Sequence, residues 1–375
     1  MAHFRVFLLI LPTLALLVSG CESSSPLEAE NGDVVGGVDM AVLFAPPTSA
    51  ERAAIEADWA QRVPEGEGIE EEHAEGAAIG GVPTHVRVVS HLVDGHRHFG
   101  AIIEPAEEPE GEVPVLIFTH GGDQGVSVDE VLFVAGTLGI SADEFVFAVP
   151  AFRSEPLHLG DSTWLSAGPP SPWDRDVDDA LSLLEVVLLT TPSADPERIG
   201  VLGLSRGGTT GLLMGIRDPR ISAVISYFAP TDFFGPFVEE VVRETLLERP
   251  PELPGIDFLV TRIVDRLQDG TLSVEDARLE LLRRSPAQFA DRLPPVQLHH
   301  GTADTVVPVD EAHHLVGAME DLGKGPPEFE AYLYSGAGHN PLQMLQSVPR
   351  VRGFLDTFVK GDAPTLVAME GPSHR

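Results

Sequence analysis

From about Val82 the chain alternates short apolar runs with longer stretches of helical spacing. The strand-like runs are His85–His91, His98–Ile103, Val113–Thr119, Phe145–Pro150, Arg198–Leu204, Ile221–Phe228, Val296–His300 and Glu328–Tyr334. Between most of the later ones lie amphipathic or apolar helical segments: Val128–Leu138, Trp173–Leu189, Thr209–Ile216 and Asp310–Leu322. Two hairpin-like strands followed by this alternation predict a mostly parallel, eight-stranded α/β sheet with helices on both faces. Ser171-Pro-Trp-Asp174 opens its helix with serine as cap, proline at the first helical position, and Asp174 and Asp176 near the positive end. Between Ala229 and Pro294 the alternation breaks. Phe237–Leu247, Ile256–Leu267 and Val274–Arg284 read as three helices with no strand between them, a lid of about residues 230–290 over the carboxyl edge of the sheet.

Ahead of Val82 the texture is different. Residues 21–81 read as an acidic tether, with one helical piece, Ser49–Arg62, that has Ser49 as its cap. Glu70-Glu-Glu72 reads as a solvated charge run. The whole chain carries 58 Asp and Glu against 24 Lys and Arg, so nucleic acid is not an expected partner. The single cysteine, Cys21, rules out an intrachain disulfide. It follows Val6–Val18, an apolar stretch too short for a membrane span and suited to a signal peptide. "VSGC", Val18 to Cys21, resembles a bacterial lipobox. That resemblance implies removal of residues 1–20, a lipid on Cys21, export to the bacterial cell envelope and membrane contact through the lipid. Residues 361–375 read as a flexible tail, leaving 82–360 as the folded domain.

The chemistry begins at "VLGLSRGG", Val201 to Gly208. A glycine, a serine and a glycine at alternate positions, between a strand and a helix, form the context of a nucleophile elbow. A serine hydroxyl is barely acidic, so it needs a base, and the base needs a carboxylate to orient it. Downstream, "HHGTADTVVP" puts Asp304 in the turn after a strand, and "YSGAGHN" puts His339 in a glycine-rich loop after the last strand. Both positions face the crevice that forms at the carboxyl ends of strands in open α/β sheets. "FTHGGDQG" after the third strand lets backbone N–H groups approach a carbonyl. Gly122 and the N–H of Arg206 are the candidate oxyanion donors. Arg153 and Trp164, in the long loop after the fourth strand, are candidate substrate contacts.

Taken together, "GLSRGG", "HGG", Ser285-Pro286, "HHGTADTVVP" and "GAGHN" resemble the catalytic domain of the prolyl oligopeptidase family, within the α/β-hydrolases. The similarity covers roughly residues 82–360. It implies an α/β-hydrolase fold with Ser205 as nucleophile, Asp304 as orienting acid and His339 as base. It implies cleavage of a short peptide or small ester through an acyl-enzyme, without a cofactor. The segment ahead of the domain is too short for the β-propeller of the family's large members, and His120-Gly-Gly stands where some peptidase members use a tyrosine. A carboxylesterase or dienelactone-hydrolase-like enzyme is the alternative on the same scaffold, and a non-catalytic surface binding protein is the other. Asp161 and Asp232 are rival acids. His300 is assigned to packing beneath the acid loop. The pairs His96/His98, His299/His300 and His313/His314 lack framing ligands at zinc spacing, so no metal is expected.

Overall fold

The apolar runs assemble into one sheet. The computed structural model describes residues 33–253 and 255–361. The signal segment, Cys21 and nearly all of the tail therefore lie outside the described residues. Nine strands share the sheet: β1 (Glu67–Ile79), β2 (Val82–Val93), β3 (His96–Pro105), β4 (Val113–Thr119), β5 (Val146–Pro150), β6 (Ala194–Leu204), β7 (Ile221–Tyr227), β8 (Val296–Gly301) and β9 (Phe329–Tyr334). Their spatial order is β9-β8-β7-β6-β4-β5-β3-β2-β1. Strands β4 to β9 run parallel, while β1, β2 and β3 form an antiparallel meander joined to β5.

Side chains alternate across this sheet, as the two-residue period of a strand requires. In β4, Val115 and Ile117 enter one core, and Leu116 and Phe118 enter the other. The first core is closed by α3 (Arg175–Thr190), α4 (Arg206–Arg217) and α7 (Asp310–Asp321), and the second by α2 (Val128–Thr137) and α8 (Val348–Leu355). Between β7 and β8 the chain leaves the sheet as a helical insertion. It holds α5 (Pro236–Leu246), a broken helical stretch over Ile256–Gln268, and α6 (Val274–Leu282).

The ninth strand corrects the expected eight, and it comes from the segment read as tether. β1 pairs along β2 at the sheet edge, with most of its side chains exposed. Its acidic run is anchored across the strands: Ser90 Oγ donates to Glu72 at 2.6 Å, and Arg97 donates to Glu70 at 2.8 Å. The strand is held by main-chain pairing rather than apolar alternation, and its charges discourage a further chain from adding to the edge. The helix ahead of it, α1 (Ser49–Trp59), is also packed. Its cap is Thr48 rather than Ser49, in a complete capping box with Glu51. Trp59 lies against Phe289 with ring centroids 4.9 Å apart, and Arg278 of the insertion binds Glu51 and the carbonyls of Val42, Leu43 and Ala45.

α3 also starts later than expected, at Arg175. Trp173 turns out with φ 66° before the helix begins, so Pro172 is not its first residue. Nor do Asp174 and Asp176 serve merely as dipole complements. Four carboxylates in this stretch are buried, and each meets an arginine. Asp174 meets Arg62 at 2.7 Å, Asp176 meets Arg206 at 2.7 Å, Asp178 meets Arg175 at 3.0 Å, and Asp179 meets Arg153 at 2.6 Å.

Candidate active site

The elbow after β6 is sterically specified. A Cβ on Gly203 would stand 2.2 Å from the Gly207 carbonyl oxygen, and one on Gly207 would stand 2.0 Å from that of Thr119. No side chain fits at either position. Between them Ser205 takes φ 55° and ψ −120°, a conformation rare for a non-glycine residue. Its N–H donates to the Tyr227 carbonyl at 2.9 Å, which pins the turn to the neighbouring strand β7. The side chain then projects ahead of α4, whose first N–H groups have no acceptor within the helix.

The loops after β8 and β9 converge on this hydroxyl. His339 Nε2 lies 2.9 Å from Ser205 Oγ, and His339 Nδ1 lies 2.7 Å from Asp304 Oδ2. The second carboxylate oxygen of Asp304 accepts the N–H groups of Val306 at 2.9 Å and Val307 at 3.0 Å. Burial pushes the Asp304 carboxyl up, but hydrogen bonds from His339, Val307 and Val306 outweigh it and hold the group below the usual carboxylate range. Asp304 therefore stays ionised beside the imidazole. Phe228, at the end of β7 with φ 38°, packs its ring 4.3 Å from that of His339. His300 is a packing residue as expected, donating from Nε2 to the Val307 carbonyl at 2.9 Å. The rival acids lie elsewhere: Asp232 accepts from Phe234 N and Gln288 Nε2, and Asp161 is exposed at a hairpin tip.

The glycine loop after β4 lies against the serine. A Cβ on Gly121 would stand 3.0 Å from Ser205 Cβ. Gly122 and Arg206 both border the cavity that Ser205 opens into. The Arg206 side chain is buried and taken up by protein partners. It forms a fork with Asp176 (2.7 and 2.8 Å), reaches Glu155 at 2.5 Å, and donates to the Gly122 carbonyl at 3.0 Å. Burial works against its charge, but the two carboxylates hold the guanidinium protonated. Burial pushes Glu155 up, opposed by Arg206. One buried cation thus ties α4, the loop after β5 and the glycine loop together.

Neither substrate contact expected from the loop after β5 is where the sequence pointed. Arg153 is buried, and its guanidinium is taken up by Asp179 and Asp94. Trp164 lies in the hairpin Pro156–Leu159 and Ser162–Leu165, against His73 at 5.9 Å, and lines neither cavity bordered by Ser205. Trp173 lines the apolar cavity instead, with Phe233, Phe237, Val241, Ile256 and Leu259. The helical insertion supplies most of that wall, as a lid would.

Residues 185–341 match the family model "BAAT / Acyl-CoA thioester hydrolase C terminal". The chain is 22% identical over 280 residues to YuxL, an uncharacterized peptidase of Bacillus subtilis, covering 70% of this chain and 37% of the relative. Among solved structures it resembles the acylaminoacyl peptidase of Pyrococcus horikoshii, with a TM-score of 0.53 and 18% identity, covering 74% of this chain and 42% of that one. It also resembles acetyl xylan esterase 1 from Thermoanaerobacterium sp. JW/SL YS485, with a TM-score of 0.56 and 18% identity, covering 84% of this chain and 95% of that one. The chain therefore spans about two fifths of the length of the two peptidases and nearly all of the esterase. These likenesses show that the chain has the α/β-hydrolase fold, the fold it shares with the acylaminoacyl peptidase and the acetyl xylan esterase.

Proposed function

We propose that this protein is a serine hydrolase that cleaves a peptide or ester bond through an acyl-enzyme. The observation that carries the reading is the continuous line from Ser205 Oγ through His339 to Asp304, at 2.9 and 2.7 Å. Ser205 Oγ attacks the substrate carbonyl while His339 Nε2 takes its proton. Asp304 holds the Nδ1–H and stabilises the imidazolium. The N–H groups of Gly122 and Arg206 receive the developing oxyanion. His339 then gives the proton to the leaving group, and water attacks the acyl-enzyme by the same route.

A fluorophosphonate probe tests the reading. The wild type should be labelled at Ser205, and Ser205→Ala should not be. An unlabelled wild type would favour a non-catalytic binding protein instead. Peptidases among the relatives support amide cleavage, the esterase neighbour supports ester cleavage, and the family match adds thioesters. A panel of aminoacyl anilides, p-nitrophenyl esters and acyl thioesters separates the three. We also propose export and anchoring through a lipid on Cys21, a reading supported by the sequence "VSGC".

A further inference from the structure

Two cavities meet at Ser205. The first is the apolar one walled by the insertion, and its one charged lining residue, Arg206, is held by Asp176 and Glu155. The second lies on the other side, bordered by Gly121, Ser127, Glu130, Phe228, His339 and Pro341. The direction of proton transfer assigns them. His339 must hand its proton to the departing group, so that group lies in the cavity that His339 borders. The acyl chain takes the apolar cavity, which His339 does not line.

The second cavity has one carboxylate, Glu130, and no lysine or arginine among its lining residues. Glu130 sits in the first turn of α2, three residues after the cap Ser127. That spacing normally forms a reciprocal capping box. In α1 it does: Glu51 N–H donates to Thr48 Oγ1 at 3.2 Å, and the Glu51 carboxylate accepts Thr48 N–H at 2.7 Å. In α2 only the first half forms, with Glu130 N–H donating to Ser127 Oγ at 3.3 Å. The neighbouring Asp129 is occupied by the Gly160 N–H at 3.0 Å. Among the described residues the Glu130 carboxylate makes no salt bridge, leaving it free to face whatever enters the cavity.

We infer that this cavity is a leaving-group subsite for a cationic alcohol or amine, with Glu130 as its specificity-determining residue. This rests on the proposed acyl transfer at Ser205. An exposed carboxylate discriminates modestly, about two- to fivefold at low ionic strength, and the effect fades as salt screens it.

The test uses the full chain and two esters of one apolar acid: the choline ester and its neutral isostere, the 3,3-dimethylbutyl ester. The quantity read is the ratio of kcat/KM values, corrected for each ester's uncatalysed hydrolysis. The wild type should favour the choline ester about two- to fivefold at low salt, and Glu130→Gln should bring the ratio near one. Glu130→Lys should reverse it. If the ratio is the same in all three proteins while Ser205 takes the fluorophosphonate and both esters turn over, the subsite assignment is wrong and the hydrolase reading stands. If Ser205 is not labelled and neither ester is hydrolysed, both fall.

Discussion

Replacing Arg206 with methionine should expose how much depends on one buried cation. Arg206 is only 5% exposed, and its side chain makes four hydrogen bonds: two to Asp176, one to Glu155 and one to the Gly122 carbonyl. Methionine fills comparable length but leaves two buried carboxylates, Asp176 and Glu155, without their arginine. Removing one member of a buried ion pair costs about 3–5 kcal/mol. A domain stabilised by roughly 5–15 kcal/mol then remains folded but much weakened. Arg206→Lys keeps the charge but cannot reproduce the planar fork on Asp176 while reaching Glu155 and Gly122, so it should lose part of that amount. Urea unfolding followed by tryptophan fluorescence measures both. In a double-mutant cycle with Asp176→Asn, the second change should cost far less in the Arg206→Met background than in the wild type, with coupling of about 2 kcal/mol or more. The backbone N–H of residue 206 survives in every variant, but the glycine loop loses its anchor, so kcat for ester hydrolysis should fall about tenfold or more. Additive losses in the cycle, or an Arg206→Met protein within about 1 kcal/mol of wild type, would refute the idea that this cation organises the site.

Other expectations follow from the same geometry. Ser205→Ala and His339→Ala should each lower kcat by about 10⁴ or more, and the double variant should be little worse than either; additive losses would show that the two do not act as a unit. Acid should destabilise the fold through His91 and His98, whose buried rings stack 6.1 Å apart. Burial lowers His91 to about 4, and burial with help from Arg153 lowers His98 to about 3. An unfolded imidazole takes its proton near pH 6.5, so the unfolded chain binds more protons below that value and stability falls as pH drops toward 4. Urea unfolding from pH 7 to 4 should show a loss smaller by about 2–3 kcal/mol in His91→Leu, and an unchanged slope would remove His91 from the account. Cys21→Ser should abolish labelling by a palmitate analogue in a bacterial host, whereas equal labelling of both proteins would end the lipid-anchor proposal.

The meeting of Ser205, His339 and Asp304 was legible because it rests on signals that act locally. Ser205, Asp304 and His339 each follow an apolar run by a few residues, and apolar runs mark strands wherever both faces are buried. Parallel strands put their carboxyl ends at one edge, so three residues far apart in the chain were already expected at one crevice. The glycines around Ser205 report sterics that hold whatever surrounds the turn. The helical insertion was visible for the same reason: the strand period stops and the helical period continues.

What lay beyond the sequence depended on partners distant along the chain. Nothing in the loop after β5 tells that Arg153 will be claimed by Asp179, or that the cleft will receive Trp173 rather than Trp164. Charge alone cannot distinguish an acidic tether from β1, because backbone pairing and Arg97 across the strands hold that edge instead of apolar alternation. Arg206 could be read for its N–H, which belongs to the elbow, but not for its side chain, whose role is set by Asp176, Glu155 and Gly122. Local periodicity and turn chemistry decided the strands and the line of Ser205, His339 and Asp304. Only packing could decide which buried charge meets which and which aromatic walls the cavity, since a charge taken out of water is tolerable only where the fold brings its counter-charge within reach.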